Sequence, residues 1–301
     1  MPVGLLQHII LKSLYTKIEV FAPSEELRPY IDHFFVLPCR EVTASLAYND
    51  GTPMLAFLPE KNNEVKIISN GQPAIFRSGW FSTRSFSKMD IQMPSSIAYL
   101  LIVRFKVTSF YQLWDCDAKT FTTRPFWSLP SLLGSNNRLL KNVEEQKNVQ
   151  QKIAAIEEYI RQIASPETTD TTLLEEAVLY IQQHQGKISV KQLQERLGVN
   201  YKWLERSFSH KIGITPKTYA NLQRFINAYT QFVKGEKDLL YIAADYGYYD
   251  SNHFIKDFKK FVGEPPMRSI QAKRLPPVII KAASRNYKKN RSFGRPIFQG
   301  Q

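Results

Sequence analysis

Residues 189–216 read SVKQLQERLGVNYKWLERSFSHKIGITP, and residues 238–266 read DLLYIAADYGYYDSNHFIKDFKKFVGEPP. The two stretches share few identities but the same punctuation. Leu193 stands five positions before Gly198, as Ile242 does before Gly247. Phe208 and Phe258 each stand five before Gly213 and Gly263, and Pro216 and Pro266 each follow by three. A pattern repeated at fixed spacing implies one supersecondary unit used twice.

Each copy parses as a short helix, a turn at glycine and a second helix. Ser189 is placed to cap the first helix of copy one, with Val190, Leu193 and Leu197 on one face. Gly198 suits the left-handed backbone that ends a helix. The next helix starts near Asn200 and aligns Leu204, Phe208 and Ile212. In copy two Asp238 takes the capping role, and Leu239, Ile242, Ala243 and Tyr246 face inward. Gly247 makes the turn, Asp250 or Ser251 caps, and Phe254, Phe258 and Phe261 are buried. Pro216 opens a long helix between the copies, with Tyr219, Leu222, Phe225, Ile226, Tyr229, Phe232 and Val233 inward, ending near Gly235. Two helices joined by a short glycine turn form a helix-turn-helix, whose second helix enters the DNA major groove.

The faces turned away from these stripes carry the chemistry. Lys202, Arg206 and Ser209, with Glu205 beside them, project from the first recognition helix; Ser251, Asn252, Lys256 and Lys259 project from the second. Arg and Lys bond guanine O6 and N7, Asn pairs with adenine, and Ser reaches a base or a phosphate. Any amphipathic helix has a polar outer face, so one such face alone carries little weight. Two at matched spacing carry more.

Residues 174–270 resemble the DNA-binding domain of the AraC/XylS family of bacterial transcription regulators. The carrying residues are Ile242-Ala243-Ala244-Asp245-Tyr246-Gly247-Tyr248, His253-Phe254, and Phe258 to Pro266. The resemblance implies two helix-turn-helix units on one rigid helix. It implies Lys202, Trp203, Glu205 and Arg206 as groove-facing residues in the first unit, and Ser251, Asn252, His253 and Lys256 in the second. The chain departs from the family at Gln194, where a small Ala is usual. It departs again at Ser269 and Ile270, where an aromatic residue and Arg usually follow the proline.

The chain has 301 residues, enough for two domains, and a formal net charge of +13 that suits a polyanionic partner. Residues 1–165 hold 18 Lys+Arg against 15 Asp+Glu, a surplus of 18−15 = 3, whereas residues 166–301 hold 22 against 12, a surplus of 10. The basic field therefore belongs to the C-terminal half, as DNA binding requires. Only two cysteines occur, Cys39 and Cys116, with no Cys-x-x-Cys, which fits a reducing cytoplasm. The N-terminal run lacks a basic leader, and nowhere do 18 apolar residues follow one another.

The expected fold class is α+β: an N-terminal mainly-β domain with a helical segment, then an all-α double helix-turn-helix domain. The expected divisions are 1–165, a linker at 166–173, the DNA-binding domain at 174–270 opening with a helix from Leu173 to Gln185, and a basic, disordered tail at 271–301. Residues 54–58, 65–68, 74–76 and the run 96–107 read as strands, the last as a central one, with turns at 49–53, 61–63 and 69–73. A short capped helix is expected across 23–31. This half resembles, less specifically, the cupin-like N-terminal domains of the same family, through Pro23, Leu27, Ile31, Phe34, Phe35, Asp50-Gly51-Thr52 and Val103-Arg104-Phe105. Such domains sense a small molecule, dimerise, or both. Phe57, Phe76, Trp80, Phe81, Tyr99 and Phe105 are core aromatics first and pocket residues second.

Across 136–165, Leu139, Leu140, Val143, Val149, Ile153, Ile156, Tyr159, Ile160 and Ile163 recur at helical spacing. That stripe is weighed equally as a homodimer interface and as packing on its own sheet. The other candidate partners are promoter or operator DNA, RNA polymerase and a small-molecule effector. No cofactor or metal site is expected, and no enzyme. Histidines 8, 33, 184, 210 and 253 are scattered, and two isolated cysteines suit neither metal binding nor alkyl transfer.

Overall fold

The structure is a computed structural model that describes residues 18–39, 45–48, 52–69, 71–82, 89–124, 126–134, 137–164, 169–235, 238–262, 264–271 and 278–279. The turn at 49–51, Gly263, the N-terminal run and most of the basic tail lie outside the described residues.

The N-terminal half is built on strand alternation. A six-stranded antiparallel sheet runs in the order β1 (Glu19–Phe21), β2 (Ile31–Pro38), β9 (Tyr99–Phe105), β4 (Met54–Phe57), β7 (Gly79–Ser82), β10 (Phe126–Ser128). A second sheet has the order β11 (Val278–Ile279), β3 (Ser45–Tyr48), β8 (Met89–Gln92), β5 (Glu64–Ser69), β6 (Gln72–Arg77). Phe35, Leu37, Met54, Ala56, Leu100 and Ile102 pack between the sheets against Val65, Ile67 and Phe76. Their neighbours Phe34, Val36, Leu55, Phe57, Leu101 and Val103 face the other way into a second cluster. Because both faces of β9 are covered, its sequence is apolar without a break from Leu100 to Val103.

What covers the outer face is the chain's own helical segment. After the single turns α1 (Phe110–Leu113) and α2 (Leu129–Leu133) come α3 (Arg138–Glu145) and α4 (Val149–Ile163). Leu139, Leu140, Val143, Ile156 and Ile160 are buried in the outer cluster, and Val149, Ile153, Tyr159 and Ile163 pack against it. The stripe weighed as a dimer interface is used on its own sheet. The aromatics Phe57, Phe76, Trp80, Phe81 and Phe105 are likewise core residues.

Three expectations need correcting. Residues 25–27 form a 3-10 turn rather than a helix across 23–31, because Ile31 already belongs to β2. The stretch 166–173 is not all linker, since α5 (Thr169–Gln183) begins at Thr169; a Thr/Asp run serves a helix start as readily as a loop. The tail is not all disordered: Val278 and Ile279 add to β3 as a parallel strand, filling backbone positions that an edge leaves open.

Two buried contacts fix the geometry. Arg104 Nε donates to Asp32 Oδ2 at 3.0 Å and Nη2 to Thr52 Oγ1 at 2.9 Å, with Arg104 4% exposed. Gly186, just after α5, has φ +75°, and a Cβ there would fall 2.2 Å from the Ala220 carbonyl oxygen and 2.5 Å from the Arg224 nitrogen. Gly198 has a similar φ of +66° but open space around it.

Gly186→Ala is therefore expected to lose at least about 2 kcal/mol in urea denaturation, strain and clash together, whereas Gly198→Ala loses about 1 kcal/mol from backbone strain alone. Burial alone raises the Asp32 carboxyl, but the His33 hydrogen bond and the Arg104 and Lys106 charges outweigh it, so the group sits below the ordinary aspartate value. Its contribution to stability is present above about pH 4 and is lost as pH falls toward the lowered value. In denaturation series from about pH 5 to pH 3, Asp32→Asn should start less stable and lose stability less steeply than the parent.

Candidate nucleic-acid interface

The C-terminal half starts from its caps. Helix α6 (Val190–Leu197) opens with a capping box in which Ser189 Oγ accepts from Gln192 N at 3.2 Å and Gln192 Oε1 accepts from Ser189 N at 2.8 Å. Helix α7 (Tyr201–Lys211) is capped by Asn200, whose Oδ1 accepts from Trp203 N at 2.8 Å. The long helix α8 (Pro216–Lys234) carries its proline in the first turn behind a Thr215 cap. Helix α9 (Leu239–Asp245) is capped by Asp238. For α10 (Ser251–Val262), Asp250 caps: its Oδ1 accepts from His253 N at 2.8 Å. A last helix, α11 (Pro266–Gln271), follows.

The turns fall at Gly198 and Gly247, with φ of 66° and 68°. The second helices of the two units are related by an offset of fifty residues (254−204, 258−208, 262−212), the turn glycines by 49 (247−198), and three apolar pairs at the offset of fifty are buried: Leu204 with Phe254, Phe208 with Phe258, Ile212 with Val262.

Helix α8 joins the units by taking part in both cores. Tyr219 and Ala220 pack with Leu193, Leu204, Phe208 and Ile212 and with Leu174, Ala177, Val178 and Ile181 of α5. Leu222, Phe225, Ile226, Tyr229 and Phe232 pack with Ile242, Ala243, Tyr246, Phe254, Phe258 and Phe261. Its polar residues Gln223, Asn227 and Thr230 are buried too, Asn227 and Thr230 bonding carbonyls four residues back at 2.7 Å. The expected inward residues are inward; for Val233 only the backbone is described.

None of the ten candidate DNA-binding side chains is buried. In the first unit Lys202 and Arg206 are exposed one turn apart, while Trp203, Glu205 and Ser209 are half-buried. Trp203 leans on the first unit's core. In the second unit Asn252, His253, Lys256 and Lys259 are exposed and Ser251 is half-buried. Each set lies on one recognition helix and, Trp203 apart, on the side away from its buried stripe.

Residues 193–271 match the model of a helix-turn-helix domain. The C-terminal domain is an AraC-type helix-turn-helix domain. It makes this chain a DNA-binding transcription regulator. No curated protein sequence matches the chain. Among solved structures, ToxT from Vibrio cholerae with an unsaturated fatty acid bound is similar at 11% identity, over 79% of this chain and 94% of that one, with a TM-score of 0.42. A 1.65 Å structure of ToxT is similar at 10% identity, over 85% and 97%, with a TM-score of 0.42. The AraC-like transcriptional activator CuxR is similar at 12% identity, over 72% and 90%, with a TM-score of 0.24.

The AraC-type domain holds three residues that periodicity did not single out. Tyr201 opens α7, 46% exposed, its hydroxyl donating to Glu205 at 3.4 Å. Tyr249 precedes α10 at 90% exposure, its ring 6.0 Å from that of His253. Both are aromatic side chains left in water at the mouth of a recognition helix, and that position off the buried stripe was the available signal. Arg224 of α8 lies with its guanidinium 4.5 Å from the Tyr248 ring and Nη1 3.3 Å from the Gly247 carbonyl, tying the second turn to the long helix. Burial pushes the neighbouring Asp257 carboxyl up, with the Arg224 and Lys260 charges pulling against it. Elsewhere burial lifts the Cys39 thiol to about 12 and the Cys116 thiol to about 11, which keeps both protonated near neutral pH.

Replacing Arg224 by Met should remove about 1–2 kcal/mol of stability, from the lost hydrogen bond and ring contact. It should also weaken DNA binding without altering any groove-facing side chain. Urea denaturation together with a gel-shift titration reads both effects.

Proposed function

We propose that the chain reads a non-palindromic operator through two adjacent major grooves. Lys202, Trp203, Glu205, Arg206 and Ser209 enter one groove, and Ser251, Asn252, His253, Lys256 and Lys259 enter the next. What supports this is the pair of polar faces on α7 and α10, joined by α8, a helix buried in both cores. Neighbouring major grooves on one side of a duplex recur about every 34 Å. Only a stiff connection keeps two helices in that register. Mixed polar side chains beside the lysines and arginines suit base reading, where a uniformly basic face would suit phosphate alone.

We further propose that the N-terminal sandwich modulates this binding. The sandwich touches the first unit directly. His210 Nδ1 of α7 lies 3.1 Å from Asp117 Oδ2, Thr108 Oγ1 donates to Glu175 at 2.9 Å, and Val107 is buried in the first unit's core. A change in the sandwich therefore reaches a recognition helix through few atoms. A small-molecule effector supplies such a change in this reading, and RNA polymerase is the partner through which DNA binding alters transcription. Pairing of two copies would need a surface other than the 136–165 stripe. A cytoplasmic site of action goes with the reading, and no helix among the described residues is long and apolar enough to cross a membrane.

Selection of bound sites from random DNA should return one sequence with two conserved blocks a helical turn apart. Arg206→Ala should cost about 1–3 kcal/mol on that site and relax preference at one position of one block, and Lys256→Ala should act on the other block. Selection that enriches no sequence over bulk DNA would overturn the reading.

A further inference from the structure

A cavity of about 530 Å³ lies where the sandwich meets the DNA-binding domain. That volume falls within the range of about 300–1,000 Å³ typical of small-molecule sites. One wall comes from the sandwich, through Glu25, Arg28, Pro29, Asp32, Thr52 and residues 104–108 at the end of β9; the other is α5, through Glu175, Val178, Leu179 and Gln182.

The two walls differ in charge. The sandwich wall carries Arg28, Arg104 and Lys106 against Glu25 and Asp32, a surplus of one positive charge (3−2). Arg104 is buried and held by Asp32 and Thr52, so it supplies field more than contact. Lys106 is 45% exposed, with Nζ 3.7 Å from Asp32 Oδ1, and Arg28 is 62% exposed, paired with Glu25 at the surface. The Arg28–Glu25 pair is exposed on both sides, so it contributes little and yields readily to a ligand, whereas Lys106 meets a carboxylate that is only 11% exposed. The α5 wall carries the Glu175 carboxylate and no basic residue. Pro29, Val178 and Leu179 add apolar lining, Leu179 being 53% exposed. An anion alone would be repelled by Glu175 and a cation alone by the basic wall. A molecule with both charges and an apolar middle satisfies each surface.

We propose that this cavity binds a small zwitterion with an apolar body, a short peptide of apolar residues, carboxylate toward Lys106 and Arg28 and ammonium toward Glu175. Such a ligand touches both domains at once. It lies in the same junction as the Thr108–Glu175 hydrogen bond, the His210–Asp117 pair and Gly213, where a Cβ would meet Ala118 at 3.2 Å. Occupancy then sets how firmly α7 is held by the sandwich. This regulatory part rests on the modulated-regulator reading above; the binding part does not.

Calorimetric titration of the full chain with L-leucyl-L-leucine tests it, alongside the N-acetylated dipeptide and the dipeptide amide, which each lack one charge. The free dipeptide should bind, and each blocked form should bind at least tenfold more weakly. Lys106→Met and Glu175→Gln should each weaken the free dipeptide at least tenfold; Gln keeps an oxygen for Thr108, so the junction bond survives. The proposal is overturned if the parent gives no binding, if a blocked form binds as well as the free one, or if both variants bind like the parent. Operator affinity, titrated with and without the dipeptide, separates the two claims. A change in affinity supports regulation through the cavity, and no change despite binding sinks it. Missing dipeptide binding leaves the DNA reading untouched.

Discussion

The burial of α8 on nearly all its sides is the constraint on which the domain depends. An amphipathic helix packs on one neighbour and keeps freedom about the other. Here Tyr219 and Ala220 belong to one core, and Phe225, Tyr229 and Phe232 to the other, with Gln223, Asn227 and Thr230 also shielded. A rotation of α8 relieving one core would open the second. The relative position of the two recognition helices is thereby set by side-chain packing, the least compressible material a protein has. Gly186 shows how close that packing runs, since its α carbon lies where no side chain fits beside the α8 backbone.

Much of this was legible in the sequence because the repeat is governed by short-range chemistry. Capping residues, glycine turns and buried stripes each depend on a few neighbours, so Asn200, Gly198 and the Leu204–Phe208–Ile212 line could be placed from spacing alone. The strands were harder. Only the more apolar runs stood out, while β2, β7, β8 and β10 take their identity from pairing partners distant in sequence. Lys152 marks another limit: a lysine inside a helical stripe reads as solvated, yet it is 2% exposed with Nζ 2.6 Å from the Val143 carbonyl. The helical segment is compatible in sequence with self-packing and with pairing alike, because an apolar stripe says that something covers it and not what.

At the candidate site, the sequence supplied side chains facing away from the core and missed those standing at helix mouths. Tyr201 and Tyr249 have no periodic partner to mark them. Arg224 stands among the apolar residues of a long helix, and its contact with Tyr248 joins residues of different elements, which spacing does not reveal. The cavity at the junction could not be read at all, since its walls come from chain segments at least 67 residues apart that meet only in the folded chain.

The two units are alike in skeleton and unlike in face: Lys202, Trp203, Glu205 and Arg206 against Ser251, Asn252, His253 and Lys256. On the function proposed above, a molecule built this way has a head and a tail on the duplex. Turned end for end, it would present each set of side chains to the other's bases. On that reading the order of the two half-sequences decides which way the sandwich points along a promoter, and a single copy marks a direction of transcription that a symmetric reader cannot.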